Sequence, residues 1–313
     1  MPAGATAEIE VEVGASLPEV LPPGTALPDV TALAREAERA GLDGLWAADR
    51  LVAGDQSVLD PALTLTAAAA VTGHLTIGFA ALVPSLRPLA WAVKQIATLR
   101  YLAGDRLRLA VVPGGGTAAE YQAAGFCRAD RARRTDDFLR LLPELLAGQP
   151  VPVPDVPGTP VVRLRPATPL PPVWVGGLAP AALRRAVRFG DGWLSGLQTP
   201  EEFAASRRQL FELADEAGRP RPRTGIGLHA TLGTQSGRTL AGTTVATLRS
   251  AYGIPGERAR QVAVAGTPAE VAEQLARYVA AGAELIVVVC DPAPTLASWD
   301  RLAEARHLLR QST

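Results

Sequence analysis

Short β-rich runs alternate with stretches of helical periodicity along most of this 313-residue chain, and that alternation restricts the folds open to it. The β-rich runs are Ala7–Val13, Gly44–Ala48, Leu75–Val83, Leu107–Val112, Val173–Val175, Gly192–Ser195, Gly225–Leu232 and Glu284–Val289. Between them, apolar residues three and four apart predict helices over Asp29–Ala40, Pro61–Thr72, Leu89–Leu102, Pro180–Phe189, Pro200–Ala217 and Pro268–Ala281. Asp29 reads as a helix cap and Gly41 as a helix stop. A strand followed by a helix brings the chain back for another strand in the same direction, so the strands are expected to be parallel. Eight of them point to an α/β protein with a single (β/α)8 TIM-type barrel over residues 1–313 and loop insertions at its C-terminal face. A doubly wound sheet would use fewer strands and open on a Gly-rich turn, which does not follow Val13.

Two segments break the rhythm. Gln149 to Pro172 is dense in proline around one short apolar stretch, Val161–Leu164, and reads as an insertion or covering loop. Gly233 to Val264 is long, polar at first and Gly-rich, and is expected to be a loop acting as a lid or substrate cover. Lys+Arg and Asp+Glu both number 31, so no global basic field recruits nucleic acid or anionic lipid, and any phosphate recognition must be local. Cys127 and Cys290 fit no metal spacing and no disulfide framework, which points to a reducing compartment. Met1 to Glu12 lacks a basic segment followed by an apolar one, and the apolar runs are too short to span a bilayer. A cytoplasmic location without a membrane is the expectation.

A barrel builds its active site where its strands end, so residues just beyond each strand carry the functional information. The fifth strand runs into Gly176-Gly177-Leu178-Ala179-Pro180 and a helix bearing Arg184 and Arg185. Paired glycines let backbone N–H groups approach an anion, and a helix N-terminus adds its favourable dipole end. The same glycines could equally do no more than turn the chain. His229 lies near the end of the seventh strand, where it could face a ligand as a proton donor or sit hydrogen-bonded in the core. His74 precedes the third strand and His307 lies on the terminal helix, so both read as structural or solvated. Trp46 and Trp193, at strand ends, could flank a ring but read first as packing, and Arg131, Arg133 and Arg134 beside Asp136 and Asp137 read as a solvated helix start.

The second strand ends in Ala48-Asp49-Arg50, the third in Phe79-Ala80-Ala81-Leu82-Val83-Pro84, and the fourth is followed by Pro113-Gly114-Gly115-Gly116, Glu120-Tyr121 and Gly125. With Ala40–Trp46, Asp60-Pro61, Val173–Gly177, Gly190–Trp193 and Ala265–Val271, in this order, the chain resembles the bacterial luciferase-like monooxygenase superfamily from about Asp29 to Val289. The resemblance implies a flavin or deazaflavin ring across the barrel mouth and a phosphate near Gly176, Gly177, Leu178 and Arg184, with Gly114 also beside the cofactor. It further implies a non-prolyl cis peptide at Ala80–Ala81 behind the ring. Luciferase itself carries a histidine near the end of the second strand, where this chain has Ala48-Asp49-Arg50, and an arginine after the fourth, where it has Pro113. Asp49 thus becomes the candidate catalytic carboxylate, with a salt bridge to an arginine as its other reading. The function implied first is a monooxygenase using reduced FMN from a separate flavin reductase to oxidise a small organic substrate with molecular oxygen. A deazaflavin-dependent dehydrogenase or reductase, and a non-catalytic flavin-binding homologue, are the alternatives, and a homodimer is the expected assembly.

Overall fold

The carboxylate of Asp29 accepts hydrogen bonds from the N–H groups of Thr31 and Ala32, and Gly41, at φ 82°, closes the far end of the same helix, so α1 runs Val30–Ala40 as its caps dictate. Asp60 likewise caps α2 (Pro61–Val71), which begins on a proline. The computed structural model describes residues 11–18, 20–21, 23–154 and 156–312. Its eight principal strands are β1 Glu12–Ser16, β2 Gly44–Ala47, β3 Thr76–Leu82, β4 Leu107–Val111, β5 Val173–Gly176, β6 Gly192–Gly196, β7 Arg223–Leu232 and β8 Leu285–Cys290. Neighbours in sequence are neighbours in space, all parallel, and β8 pairs with β1 to close the ring. The chain is therefore the expected (β/α)8 barrel, with α3 (Leu89–Ala103), α5 (Arg131–Leu146), α6 (Pro180–Phe189), α7 (Pro200–Glu216), α10 (Pro268–Ala280) and α11 (Leu296–Ser312) among the helices around it. Two short helices, α4 (Ala118–Ala123) and α9 (Gly256–Val262), lie in loops. Among the described residues, no helix is long and apolar enough to cross a membrane.

Three boundaries differ from the sequence reading. The first strand extends to Ser16, while the part expected at Ala7–Glu10 lies outside the described residues. The proline-rich stretch forms a two-stranded antiparallel pair in which Val151 and Pro152 face Val162 and Val161, an arrangement that needs few N–H donors and so tolerates proline. Gly233–Val264 is largely helical: α8 covers Gly237–Tyr252 and α9 follows. Its small and polar residues masked a helix whose buried positions, Thr244 and Leu248, are few.

The lumen is filled by two indoles. A Cβ added to Gly14 on β1 or Gly78 on β3 would lie 2.5 or 2.2 Å from the Trp46 ring. One on Gly192 of β6 or Gly225 of β7 would lie 2.4 or 3.2 Å from Trp174. Four strands thus give up side chains so that Trp46 and Trp174 can plug the barrel together with Ala110, Leu194, Leu285 and Val287. Trp193 faces the other way, stacking on Phe203 of α7 at 5.5 Å between ring centroids. Neither Trp46, 1% exposed, nor Trp193, wholly buried, lies open at the mouth. Gly78→Ala forces a methyl group into the Trp46 ring with no flexible neighbour to yield. We expect a loss of about 1–3 kcal/mol in stability, read by thermal unfolding of a variant that keeps wild-type circular dichroism.

Candidate active site

Alternation along the strands decides which residues look into the barrel above the indoles. Gly44 and Trp46 are followed inward by Ala48, Gly78 by Ala80, Ala110 by Val112, Leu194 by Gly196, Gly225 by Gly227 and His229, and Val287 of β8 by Val289. Ala48, Ala80, Ala81, Val112, Gly196, Gly227 and Val289 are half-buried, whereas the outward neighbours Ala47, Phe79, Val111, Val288 and Cys290 are buried. A Cβ on Gly196 or Gly227 would meet nothing nearer than a backbone oxygen at 3.6 or 3.7 Å. The C-terminal end of the barrel is thus a floor of alanines, glycines and two valines that is half-buried. The register of β3 against β4 shifts between Phe79 and Leu82, and the Ala80–Ala81 peptide within that bulge is cis, with both alanines packed on the lumen cluster.

Beside this floor lies the Gly176-Gly177-Leu178 turn. Gly176 has no room for a side chain, because its Cβ would lie 2.5 Å from Val112, and Gly177 adopts φ 117°, which favours glycine. The Trp193 indole N–H donates to the Gly177 carbonyl at 2.9 Å and fixes the turn from behind. Ala179, which precedes α6, offers no side-chain cap, and no acidic residue stands in the first turn, so the backbone N–H end of the helix is left for an anion. Leu178, Ala179, Pro180 and Ala181 are exposed there. Arg184 is exposed one turn further on, while the adjacent Arg185 is buried and paired with Asp136 at 2.6 Å. Gly114, at φ 86°, follows β4, the strand paired with β5, and a Cβ there would strike Val83 at 2.5 Å and the Tyr121 hydroxyl at 2.8 Å. These residues fit a phosphorylated flavin-type cofactor: small residues under the ring and an uncapped helix beside it.

The two candidate catalytic residues have different surroundings. Asp49, with its side chain 1% exposed, accepts from the Val83 N–H at 2.9 Å and forms a two-point ion pair with Arg87, one arm of which is 3.0 Å long. Burial works against the Arg87 charge, but the Asp49 hydrogen bond and charge raise its pKa above the ordinary value. Arg87 belongs to the turn after β3, and its carbonyl in turn accepts from Arg134 at 3.0 Å. Arg134 is buried beneath Phe126, its guanidinium 3.8 Å from the ring centre, so this part of the run expected to be solvated is a structural strut. Asp49 therefore ties the end of β2 to the end of β3.

His229 is buried on the lumen side of β7 at the mouth. Its Nδ1 lies 3.2 and 3.3 Å from the two carboxylate oxygens of Asp291, the residue directly after β8, and its Nε2 lies 3.0 Å from the hydroxyl of Tyr252 at the end of α8. Burial pushes the Asp291 carboxyl above its ordinary pKa, against the opposing effect of His229 and of hydrogen bonds from Thr244 and Thr247. All three residues line a pocket whose other walls include Leu17, Val20, Leu21, Ala251, Val289 and Pro292. The sequence reading singled out His229 but neither partner. Asp291 stood where a barrel keeps its chemistry, one residue past a strand, and could have been found by that rule. Tyr252 was hidden by the reading of its segment as a loop.

Asp49→Asn removes the charge that balances Arg87, whose remaining acidic neighbour is Asp60 at 3.7 Å. We expect a lower melting temperature, corresponding to about 1–3 kcal/mol, together with any change in turnover. A variant that melts with the wild type would show that the pair is not needed to hold the strand ends.

The family model for luciferase-like monooxygenase matches residues 11–241. An uncharacterised protein of Mycobacterium tuberculosis is 36% identical over 167 residues, which are 50% of this chain and 55% of that protein, and a protein of Mycobacterium bovis matches to the same extent. The chain thus spans about half the length of the curated relatives it matches. Among solved structures, an F420-dependent secondary alcohol dehydrogenase superposes with a TM-score of 0.76 at 15% identity, covering 96% of this chain and 99% of that one. The oxygenating constituent of 3,6-diketocamphane monooxygenase from Pseudomonas putida, in complex with FMN, gives 0.76 at 17% identity over 95% and 96%. At such identities these structures share the fold. From the family match over residues 11–241 and the barrel that carries it, the chain belongs to the luciferase-like monooxygenase family of oxidoreductases.

Proposed function

We propose that this chain is a deazaflavin-dependent dehydrogenase or reductase, holding the deazaflavin ring on the floor of small residues and passing hydride between it and a small substrate in the adjoining pocket. The observation that carries this reading is the floor of Ala48, Ala80, Ala81, Gly196 and Gly227 with a histidine held between a carboxylate and a phenol at its edge. Hydride transfer to or from a carbonyl carbon needs a proton moved at the neighbouring oxygen, and a positioned side chain supplies it. The F420-dependent dehydrogenase among the structural neighbours supports the cofactor class. A monooxygenase using reduced FMN from a separate reductase, with molecular oxygen, is the second reading. The apolar part of the pocket wall, Leu17, Val20, Leu21, Val289 and Pro292, favours it, because water must be kept from an oxygen-activating flavin, and so does the FMN-bound neighbour.

In either reading the cofactor supplies the redox chemistry and the protein binds, orients and excludes water. The two alanines and the glycines of the floor receive the ring. Gly114 borders it, and Gly176, Gly177, Leu178 and the start of α6 meet the phosphate, with Arg184 near enough along the helix to add charge. His229 manages a proton. Asp49 holds two strand ends in place through Arg87 and leaves the ring's approach clear.

Two substitutions test the cofactor site without disturbing the fold. Gly196→Val projects a side chain into open space above Trp174 and should weaken binding of deazaflavin or FMN at least tenfold. Ala181→Glu sets a carboxylate at the start of α6, where it suits the helix dipole but repels a phosphate, so affinity should fall while thermal stability holds. Fluorescence titration of both cofactors in both redox states checks this and selects between the two readings, since a hundredfold preference identifies the class. Unchanged affinity in both variants would move the cofactor elsewhere.

The proposal extends to a homodimer. On α3, Trp91, Tyr101 and Leu102 are 66%, 71% and 50% exposed, and on the adjacent α2 Leu63 is 71% exposed above a stripe of Thr66, Ala67 and Ala70. A second copy of this surface covers it with matching small and large residues. Sedimentation velocity should find a dimer for the wild type and a monomer for Leu63→Glu combined with Trp91→Glu.

A further inference from the structure

Beside the floor, one chain of hydrogen bonds has an internal direction. Both oxygens of Asp291 face His229 Nδ1, and with Asp291 ionised they only accept, so the bond then requires the hydrogen on Nδ1. The neutral ring then has a lone pair at Nε2, which accepts the Tyr252 hydroxyl at 3.0 Å. The two rings meet edge to face at 5.2 Å, and the Arg50 guanidinium lies 5.6 Å from the Tyr252 ring centre on the loop after β2. Three elements from different parts of the chain, β7, α8 and the turn after β8, converge to make this arrangement. Tyr252, 37% exposed, is its outermost member, while His229 and Asp291 are each 7% exposed. A phenol that donates its hydrogen to imidazole can still accept one from a ligand.

We propose that Tyr252, His229 and Asp291 form a proton relay serving the oxygen atom of the substrate, and that the substrate is a small, mostly apolar alcohol or the corresponding ketone. This rests on the dehydrogenase reading above and names its substrate class. Leu17, Val20, Leu21, Val289 and Pro292 make much of the pocket wall apolar, Gln56, Thr247 and Ser250 add polar groups, and His229, Tyr252 and Asp291 give it a hydrogen-bonded chain for a substrate oxygen. In the oxidative direction the hydroxyl proton of the substrate passes to Tyr252 Oη as the tyrosine's own proton passes to His229 Nε2. The C–H bond breaks with its electron pair, which leaves as hydride to the oxidised deazaflavin, and the C=O bond forms. The imidazolium faces the Asp291 carboxylate until its proton goes to solvent. Reduction of the ketone runs the same path backwards, with His229 returning a proton through Tyr252. Tyr252 is the catalytic residue of the three, and Asp291 positions and charges His229.

The test has two arms. In the cofactor-free protein, nitrogen-15 spectra of labelled histidine report three side chains, and His229 should appear as the Nδ1–H form, changing tautomer in Asp291→Asn and shifting in Tyr252→Phe. An Nε2–H form indifferent to both substitutions overturns the relay. In the deazaflavin-loaded protein, oxidation of cyclohexanol and reduction of cyclohexanone are measured. Tyr252→Phe should lower kcat by about 10²–10⁴-fold, with KM and cofactor affinity within threefold of wild type. Asp291→Asn should lower kcat without moving KM. Turnover of Tyr252→Phe within threefold of wild type overturns the relay, and a wild-type enzyme that binds the cofactor but ignores both probes overturns the substrate class. Failure of the wild type to bind either cofactor overturns the functional reading instead, and the tautomer then decides the relay by itself.

Discussion

The fit of two indoles against glycine backbone is the constraint on which the rest depends. A barrel of eight strands encloses a volume that side chains must fill, and here Trp46 and Trp174 fill it because Gly14, Gly78, Gly192 and others on facing strands stand aside. Filling the middle of the lumen with two large, flat groups frees the layer above from packing duty. That layer can then be made of alanine and glycine. The functional surface is a by-product of where the bulk was placed, and a change at the indoles would be felt at the mouth, one layer away.

Much of the fold was legible in the sequence because βα alternation is a strong signal: β-rich runs such as Leu107–Val112 and the cap Asp29 each state their role locally. The segment from Gly233 to Val264 was not, since α8 buries few of its residues and its polar start resembles a loop. The role of Trp46 was hidden for a different reason. That a tryptophan and glycines on separate strands form one packing unit is a property of strand register, which no local pattern carries.

The candidate site was legible to the same extent. Gly176 and Gly177 stood in the sequence as either an anion cradle or a plain turn, and they make a turn beside an uncapped helix. Asp49 shows the limit of position alone. It closes a strand at the functional end of the barrel, yet its partner Arg87 lies 38 residues further along, so its ion pair could not be read from its neighbours. His229 was noticed by its place near the end of the seventh strand, while Asp291 and Tyr252, 62 and 23 residues away, are its partners.

Helix α8 supplies one wall of the pocket and one member of its polar chain, but no residue of the floor. Its attachments to the barrel include the pairing of Thr231 and Thr244 hydroxyls at 2.7 Å. Such a segment is an exchangeable cassette. Within a lineage, insertions or replacements between β7 and α10 could retune which molecules are accepted while the cofactor's seat is inherited intact, so divergence among relatives should concentrate in this stretch and spare the strand ends beneath it.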